Sequence, residues 1–448
     1  MWGKCRLKRW QGKMRNFVKK INSSLILRSG VASLDQALLS LLSFLIAIFL
    51  IKTVPKTDYG YYSVALPVML FLIAVQNAIV NTPLAVLLPS KKDAEQKQYA
   101  ASLFYGQFLL IIPLAGAGLF FIALPWFLGV DSTQGAIAAA LCLAATGILY
   151  REFLRSYFFA EETPVQVLKL DVGYVFIFSC LVALSYFTFN ISVAGLFLLM
   201  GISAIIVAPI FKRRLGWAFD KKSIRKSYHE NWKYGRWSLF GVIVTHIQTY
   251  SYVYLLGMLL GSVAVADVSA ARILMMPLVL VESGWGKVVR PYGSKLREQN
   301  LSGIFYKRQV LASLVLTFGI CLYTLLVLFA SGILEKYILS EKYANSFQFI
   351  QYWGAVFVVG FIGKNASFGL QVMKDFKNVS IINFITMLIT VGYGFFLIQS
   401  HGIQGALIAV IIGKGISAIF LWIYFTKSVF FTGENRIKST VNIKWINN

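Results

Sequence analysis

Twelve long apolar runs follow one another along this chain, and no other feature limits its fold as strongly. A helix that crosses a membrane needs about 20 consecutive, mostly apolar residues. The runs lie at about 28–51, 60–88, 99–125, 134–157, 170–188, 191–211, 236–260, 263–289, 309–332, 346–371, 379–399 and 403–426. Because backbone polar groups find no water inside a bilayer, such runs must be helical. The sequence therefore predicts an all-α, polytopic membrane protein with twelve transmembrane helices.

The composition agrees with this fold class. Of 448 residues, 58% are hydrophobic and 14% are charged, against about 25% charged residues in a typical soluble domain. The net charge of +25 comes from Lys and Arg residues that lie mainly between the apolar runs, where the positive-inside rule places them. No basic stretch forms a recognisable nucleic-acid-binding module. We therefore exclude nucleic acid as a partner.

The distribution of basic residues predicts the orientation. With the N-terminus in the cytoplasm, 36 of the 43 Lys and Arg residues fall on the cytoplasmic side and 4 on the other side. This asymmetry predicts that both termini are cytoplasmic and that the number of spans is even. The loops on the opposite side are short, which leaves no room there for a catalytic domain.

The chain divides into five predicted regions. They are a basic, interfacial segment 1–27, a six-helix bundle 28–211, a cytoplasmic linker loop 212–235, a second six-helix bundle 236–426 and a cytoplasmic tail 427–448. The first region has no cleavage site typical of a signal peptide. Met14 is an alternative translation start to Met1.

Two short matches indicate an internal repeat. GISAI occurs at 201–205 and again at 415–419, and GYYSVA at 60–65 matches ADVSAA at 266–271. The matched segments occupy corresponding helices of the two halves. We therefore predict two six-helix bundles related by a parallel pseudo-two-fold repeat. Transporters built in this way bind their substrate between the halves and alternate access by rocking them.

Four motifs resemble those of a known transporter family. They are VPKTDYGYYSVA (54–65), LLGSVAVADVSAARI (259–273), SEKYANSF (340–347) and HGIQGALIA (401–409). Together they resemble the polysaccharide repeat-unit flippases of the multidrug/oligosaccharidyl-lipid/polysaccharide (MOP) exporter superfamily. Asp267 departs from the family pattern, which usually has Gly followed by Tyr at this point. The related lipid II flippases have fourteen spans, so twelve spans favour the polysaccharide flippases.

The resemblance implies a function and an architecture. It implies a V-shaped pair of six-helix bundles with a cationic central cavity. The substrate would be an undecaprenyl-diphosphate-linked oligosaccharide for O-antigen or exopolysaccharide synthesis, and the site of action would be the bacterial inner membrane. Other polysaccharide-assembly proteins are candidate partners. We expect no enzymatic activity, no cofactor and no bound metal, with H⁺ or Na⁺ as a possible coupling ion.

Charged residues inside the apolar runs are the first candidate site residues. A charge at the bilayer centre costs about 3 kcal/mol on insertion scales, so Asp35 is either a coupling site or half of an ion pair with a Lys or Arg of another helix. Lys364 and Lys414 are candidates for phosphate contact, with internal pairing as the alternative. Arg272 is either an interfacial anchor or part of the substrate path, and Glu282 is a partner for a lysine or a coupling residue.

Uncharged polar residues complete the set. Asn77 and Asn81 lie one turn apart and either tie helices together or contact sugar. His246 and Gln248 precede three tyrosines, whose rings are suited to stacking on sugars but are also common at membrane interfaces.

Other function classes fit the sequence less well. A cation-coupled multidrug exporter of the same superfamily would need an acidic site, whereas the charges inside these spans are mixed. A membrane glycan polymerase or ligase would need a sizeable outer loop. An acyltransferase would need a His beside a carboxylate, and no His in the chain is persuasively placed. The four cysteines lack metal-ligand spacing.

Overall fold

The computed structural model describes residue 28 and residues 30–128, 132–188, 191–212 and 220–444. The regular structure in these parts of the chain is helical, without β-strands. The predicted interfacial segment 1–27 lies outside the described residues. The all-α prediction is confirmed.

Fifteen α-helices carry the described fold. Their bounds are α1 Gly30–Thr53, α2 Lys56–Gln76, α3 Thr82–Leu87, α4 Asp93–Gly106, α5 Phe108–Leu128, α6 Ser132–Ala160, α7 Pro164–Thr188, α8 Val193–Lys212, α9 Lys221–Leu259, α10 Ser262–Ile273, α11 Met276–Glu298, α12 Ser302–Phe329, α13 Ser331–Tyr337, α14 Ile350–Val372 and α15 Phe376–Lys444. A π-helical turn, Asn77–Asn81, joins α2 to α3, and 3₁₀ turns occupy Leu88–Ser90 and Glu341–Phe349.

The last helix, α15, is a hairpin of two membrane passages. Its apolar part, Phe376–Phe430, has 55 residues, and at 1.5 Å per residue a straight helix of this length would measure about 80 Å, far more than a bilayer core of about 30 Å. The helical path is broken at Gly402, which has φ 58° and ψ −136°. A Cβ atom on Gly405 would lie 1.9 Å from the carbonyl oxygen of Leu397. Eight residues of straight helix would separate these positions by about 12 Å, so the chain reverses its direction between Leu397 and Gly405.

The pair α10–α11 is a single bent passage. The two helices meet at an angle of 60° and together satisfy the length and hydropathy of a span. Pro277 lies in the first turn of α11, and the Tyr323 hydroxyl donates a 2.7 Å hydrogen bond to the Leu274 carbonyl at the break. Ten helices of the described chain meet the span criteria singly. Dividing the hairpin at Gly402 and adding the bent pair gives the predicted twelve.

Helix α9 begins well before its predicted apolar run. The segment 212–235 was expected to be a loop, but the chain is helical from Lys221 onward. Asp220 caps this helix, because its carboxylate accepts hydrogen bonds from the backbone N–H groups of Lys222 and Ser223 at 3.0 and 3.1 Å. Ser227 and Asn231 are buried one turn apart, so the early turns pack through polar residues that hydropathy does not detect.

The chain divides into two compact packing units. One comprises Met1–Ile46 with Leu72–Leu239, and the other comprises Ala47–Phe71 with Phe240–Asn448. Helices α1, α2 and α9 therefore contribute residues to both units. The division into bundles 28–211 and 236–426 stays a prediction.

The same pair of spans packs closely within each unit. In the first unit, a Cβ on Gly201 of α8 would lie 2.6 Å from the Cα of Ala144 in α6. In the second unit, a Cβ on Gly363 of α14 would lie 3.2 Å from the Cα of Ala418 in α15. These helices are the fourth and sixth predicted spans of each half. The repeated pairing agrees with the internal sequence repeat.

Candidate functional site

Asp35 of α1 is buried in a charged network of the first unit. Its side chain is 1% exposed, and Arg155 of α6 donates from Nη2 to its Oδ2 at 2.9 Å. The same guanidinium donates from Nε to Oδ2 of Asp171 at 2.6 Å and from Nη1 to Oε2 of Glu152 at 2.9 Å. Asp35 is thus paired with an arginine of another helix, which is one of the two interpretations considered from the sequence.

Arg151 completes this network. Its Nε lies 3.3 Å from Oδ1 of Asp171, its Nη2 lies 3.2 Å from Oε1 of Glu152, and its guanidinium carbon lies 3.8 Å from the centre of the Tyr174 ring. With three carboxylates and two guanidiniums, the fully ionised network carries one negative charge. Oδ1 of Asp35 is buried and accepts no hydrogen bond from any described residue.

Asn77 and Asn81 lie on the π-helical turn of the first unit. The Asn81 side-chain amide donates to Oδ1 of Asn77 at 2.7 Å. Asn231 of α9 donates to the backbone carbonyl of Ile79 in the same turn at 3.3 Å. A π-helical turn departs from the regular backbone hydrogen bonding of an α-helix, and Asn231 supplies a side-chain donor to one carbonyl of this turn. The Asn81 side-chain nitrogen is thus bonded to its neighbour on the helix, whereas its buried Oδ1 accepts no hydrogen bond from a described residue.

Lys364 and Glu282 are ion-paired in the second unit. Lys364 Nζ of α14 lies 2.7 Å from Oε1 of Glu282 in α11, and the two side chains are 55% and 15% exposed. The lysine therefore reaches solvent-accessible space while it holds the carboxylate.

Arg272, in the last turn of α10, is surrounded by aromatic rings instead of carboxylates. Its Nη1 donates to the Tyr252 hydroxyl at 3.1 Å. Its guanidinium carbon lies 5.7 Å from the centre of the Tyr250 ring and 5.4 Å from that of Trp353, within the range of cation–π attraction. No described Asp or Glu oxygen lies within 4.0 Å of it.

Lys414 of α15 is the third cation of this region. Its Nζ lies 3.1 Å from the point where a Cβ on Gly360 would stand. It interacts electrostatically with Glu282, Lys364 and Arg272, but it forms no ion pair with a described carboxylate. The cation cluster, defined as Arg272, Glu282, Lys364 and Lys414, therefore contains three cations and one anion.

His246 and Gln248 of α9 lie beside the cation cluster in the same unit. The His246 ring lies 4.8 Å from that of Tyr250, which in turn contacts Arg272. His246 Nε2 lies 3.0 Å from the Tyr254 hydroxyl. Gln248 donates to Oγ1 of Thr386 in α15 at 3.0 Å. His246 is thus linked to the cluster through one ring, whereas Gln248 is held by another helix.

Several residues of these two regions were not identified from the sequence. Arg151 and Arg155 were not considered as site residues because they lie near the end of the run 134–157, where basic residues are expected, although their spacing of four residues places them on one helix face. Trp353, beside Arg272, was also missed, since one aromatic residue in an apolar helix carries no distinctive signal.

The chemistry of the cation cluster suits an anion. Two of its three cations lack a carboxylate partner. Guanidinium and ammonium groups are the usual ligands of phosphate oxygens in proteins. No group of three or more His, Cys, Asp or Glu side chains within the described ranges is arranged to hold a metal ion. Of the four cysteines, the three that are described, Cys142, Cys180 and Cys321, are free.

Comparisons with known sequences find a matching family and a relative. A family model described as "Polysaccharide biosynthesis protein" matches residues 28–297. A relative from Shigella flexneri, named "Putative O-antigen transporter", is 24% identical over 247 residues, which cover 53% of this chain and 56% of the relative. The aligned region thus spans little more than half of that relative's length.

Solved structures share the fold. An inward-facing multidrug resistance MATE family transporter of the MOP superfamily superimposes with a TM-score of 0.73 at 13% identity, covering 87% of this chain and 94% of that one. A MOP superfamily transporter from Pyrococcus furiosus, described by the reverse polarity of its binding pocket, gives 0.63 at 13% identity, covering 91% and 95%. At these identities the likeness establishes a MATE-like fold.

Proposed function

The chain belongs to the polysaccharide biosynthesis protein family, and on this premise we propose that it is a flippase for lipid-linked oligosaccharides. It carries undecaprenyl-diphosphate-linked repeat units for O-antigen or exopolysaccharide from the cytoplasmic to the outer leaflet of a bacterial inner membrane, by alternating access. Both termini face the cytoplasm. No covalent bond is made or broken, so the reaction needs no nucleophile.

The cation cluster is the observation that carries this proposal. Its two unpaired cations, Arg272 and Lys414, leave an excess of two positive charges. Isolated charges in a low-dielectric region are costly unless a partner arrives, and a diphosphate supplies one. The rings of Tyr250 and Trp353 that border Arg272 are suited to contact with the neighbouring sugars.

The membrane potential and the network around Asp35 supply candidate driving forces. Moving an anionic group out of a negative-inside cell is favoured by about 2.3 kcal/mol per charge per 100 mV. The uncompensated negative charge and the free Oδ1 of Asp35 make this network our candidate site for H⁺ or Na⁺ countertransport.

A multidrug exporter remains the alternative from the same fold. Such a transporter would bind cationic drugs, which need an acidic site. The cation cluster has the opposite sign, so we favour the flippase.

The test is genetic complementation with two readouts. In a strain that lacks its own flippase, the wild-type chain should restore surface polysaccharide without changing drug susceptibility. Arg272→Gln combined with Lys414→Gln should abolish export at a normal protein level, and Lys414→Arg, which keeps the charge, should retain more export than Lys414→Gln. Full export by the double variant would overturn the role of the cluster, and drug efflux without export would favour the alternative.

A further inference from the structure

A polar stripe runs along the uncovered face of α11. Ser283, Lys287, Arg290 and Ser294 recur at spacings of four, three and four residues, which places them on one side of the helix. The first three are exposed. The adjoining side, where the helix is packed, carries Gly286, and an added Cβ there would lie 2.6 Å from the Phe368 ring. The helix therefore packs through one face and leaves the stripe open.

The two cations of the stripe are available to a ligand. Arg290 donates from Nε to its own helix, to the carbonyl of Gly286 at 2.8 Å, and its guanidinium carbon lies 5.3 Å from the centre of the Phe368 ring. These contacts orient the guanidinium while its terminal nitrogens point to no described carboxylate. Neither Arg290 nor Lys287 forms an ion pair within the described residues.

The stripe lies on the helix that also carries Glu282 of the cation cluster. Lys287 and Arg290 follow Glu282 by five and eight residues, a rise of about 7.5 and 12 Å along the helix axis, and Glu282 is paired with Lys364. The stripe is thus about one to two turns from the cluster along α11. Lys287 lies in the last turn of the predicted run 263–289 and Arg290 follows it, where the positive-inside rule places basic residues on the cytoplasmic side. We therefore expect the stripe to face cytoplasmic water.

We propose that Lys287 and Arg290 form an entry site that holds the diphosphate group before it reaches the cation cluster. This inference rests on the proposed flippase function. In the unloaded state Glu282 occupies Lys364. A diphosphate held one to two turns away then competes with Glu282 for Lys364, and the exchange passes the anion from the stripe to the cluster.

A thiol at Ser283 reports on the charge of this site. In a cysteine-free background carrying Ser283→Cys, the reaction rates of an anionic methanethiosulfonate (sulfonatoethyl) and a cationic one (trimethylammonium-ethyl) are compared in proteoliposomes. Lys287 and Arg290 follow Ser283 by four and seven residues, a rise of about 6 and 10.5 Å. At low ionic strength their charges should raise the ratio of the anionic to the cationic rate about tenfold above the ratio measured with a free thiol, and salt should reduce this preference. Inorganic diphosphate should slow the reaction.

Matched variants identify the cations responsible. Lys287→Gln with Arg290→Gln should return the rate ratio to that of a free thiol and remove protection by diphosphate. Lys295→Gln, which removes an exposed charge from the same helix but lies off the stripe, should change neither. Absence of charge preference, absence of protection, or an equal effect of Lys295→Gln would overturn the entry site.

A flipping assay separates this inference from the function on which it rests. With polyprenyl-diphosphate-linked oligosaccharide in proteoliposomes, the double variant should raise the substrate concentration needed for the half-maximal rate several-fold and change the maximal rate much less. A lower maximal rate with an unchanged half-maximal concentration would overturn the entry role. If the wild-type chain flips no substrate, the flippase proposal fails, and the thiol experiment still decides whether the stripe binds diphosphate.

Discussion

At the scale of single residues, the charges around Asp35 are balanced to within one. Arg155 donates to the Asp35 carboxylate, and the same guanidinium pairs with Glu152 and Asp171. Because the network has three carboxylates and two guanidiniums, one carboxylate can be neutralised without leaving a guanidinium unpaired.

The Asp35 network yields a first prediction. The network has one carboxylate more than it has guanidiniums, and Asp35→Asn removes this excess negative charge. Arg155 keeps Asp171 and Glu152 as partners. The variant should therefore insert at a normal level yet export poorly, if the network couples an ion to transport. Arg155→Ala leaves the buried Asp35 without its cation, while Asp171 and Glu152 keep Arg151; breaking a buried pair in this way costs about 3–5 kcal/mol and should lower the protein level. Export per inserted molecule is the measurement, and a normal value for Asp35→Asn would refute coupling.

Only one half of the Asp35–Arg155 pair could be identified from the sequence. A carboxylate near the start of an apolar run is conspicuous because its insertion is costly. Arg155 is not, because it lies near the end of another run, where basic residues are common. The contact joins positions 120 residues apart, and only tertiary packing brings them together.

The Lys364–Glu282 pair yields a second prediction. Glu282→Gln removes the anion that competes with substrate for Lys364, so it should bind substrate more tightly and release it more slowly. A partly exposed ion pair contributes up to about 1 kcal/mol, which corresponds to about a fivefold lower half-maximal substrate concentration. Flipping kinetics in proteoliposomes test this, with Glu298→Gln as an exposed control on the same helix. A higher half-maximal concentration for Glu282→Gln would contradict the competition.

At the scale of helices, three motifs of the family resemblance meet in the second unit. Lys56, at the start of α2, pairs with Asp267 of α10 at 2.7 Å. Ser346 donates to the same carboxylate oxygen at 2.7 Å. A Cβ on Gly60 would lie 2.0 Å from the backbone carbonyl of Ser262, so the two helices touch through their backbones. Asp267, the residue that departs from the family pattern, thus has Lys56 as its ion-pair partner.

A charge exchange tests this contact. Lys56→Asp and Asp267→Lys each place like charges together at a site where both side chains are mostly buried, and each should lower the protein level and the melting temperature in detergent. The double variant restores opposite charges and should recover most of the loss. If the double variant is no more stable than the worse single variant, the ion pair does not hold α2 to α10.

The hairpin of α15 gives a prediction about its turn. Gly402 adopts φ 58° and ψ −136°, a conformation that costs a residue with a side chain about 1–3 kcal/mol. Gly402→Ala should therefore reduce thermal stability. Gly392→Ala, in the same helix and with open space around the added Cβ, should be neutral or stabilising because alanine favours helix. Equal melting temperatures for Gly402→Ala and the wild type would argue against the hairpin turn.

The helices also mark the limit of sequence reasoning. Every predicted span overlaps an observed helix, because apolar length is a property of the local sequence. The first turns of α9 were assigned to a loop, since they pack through polar residues such as Ser227 and Asn231. Hydropathy responds to lipid and to apolar cores, and it gives no signal for a helix that docks through hydrogen bonds.

At the scale of the whole molecule, the number of membrane passages determines whether the two termini lie on the same side of the membrane. If α15 were a single passage, the described chain would have eleven spans and its ends would lie on opposite sides. The reversal at Gly402 makes the number twelve, and the distribution of Lys and Arg, 36 against 4, then places both ends in the cytoplasm.

Reporter fusions along the chain test this topology. A fusion in the linker loop at residue 216 and one after residue 444 should both report the cytoplasm. A fusion at Glu335 should report the opposite side. The decisive position is Ser400, which ends the first arm of the α15 hairpin: a fusion there should report the outside, because the chain has completed eleven passages and has not yet turned at Gly402. A cytoplasmic signal at Ser400, or an external one after residue 444, would show that the hairpin does not cross the membrane twice.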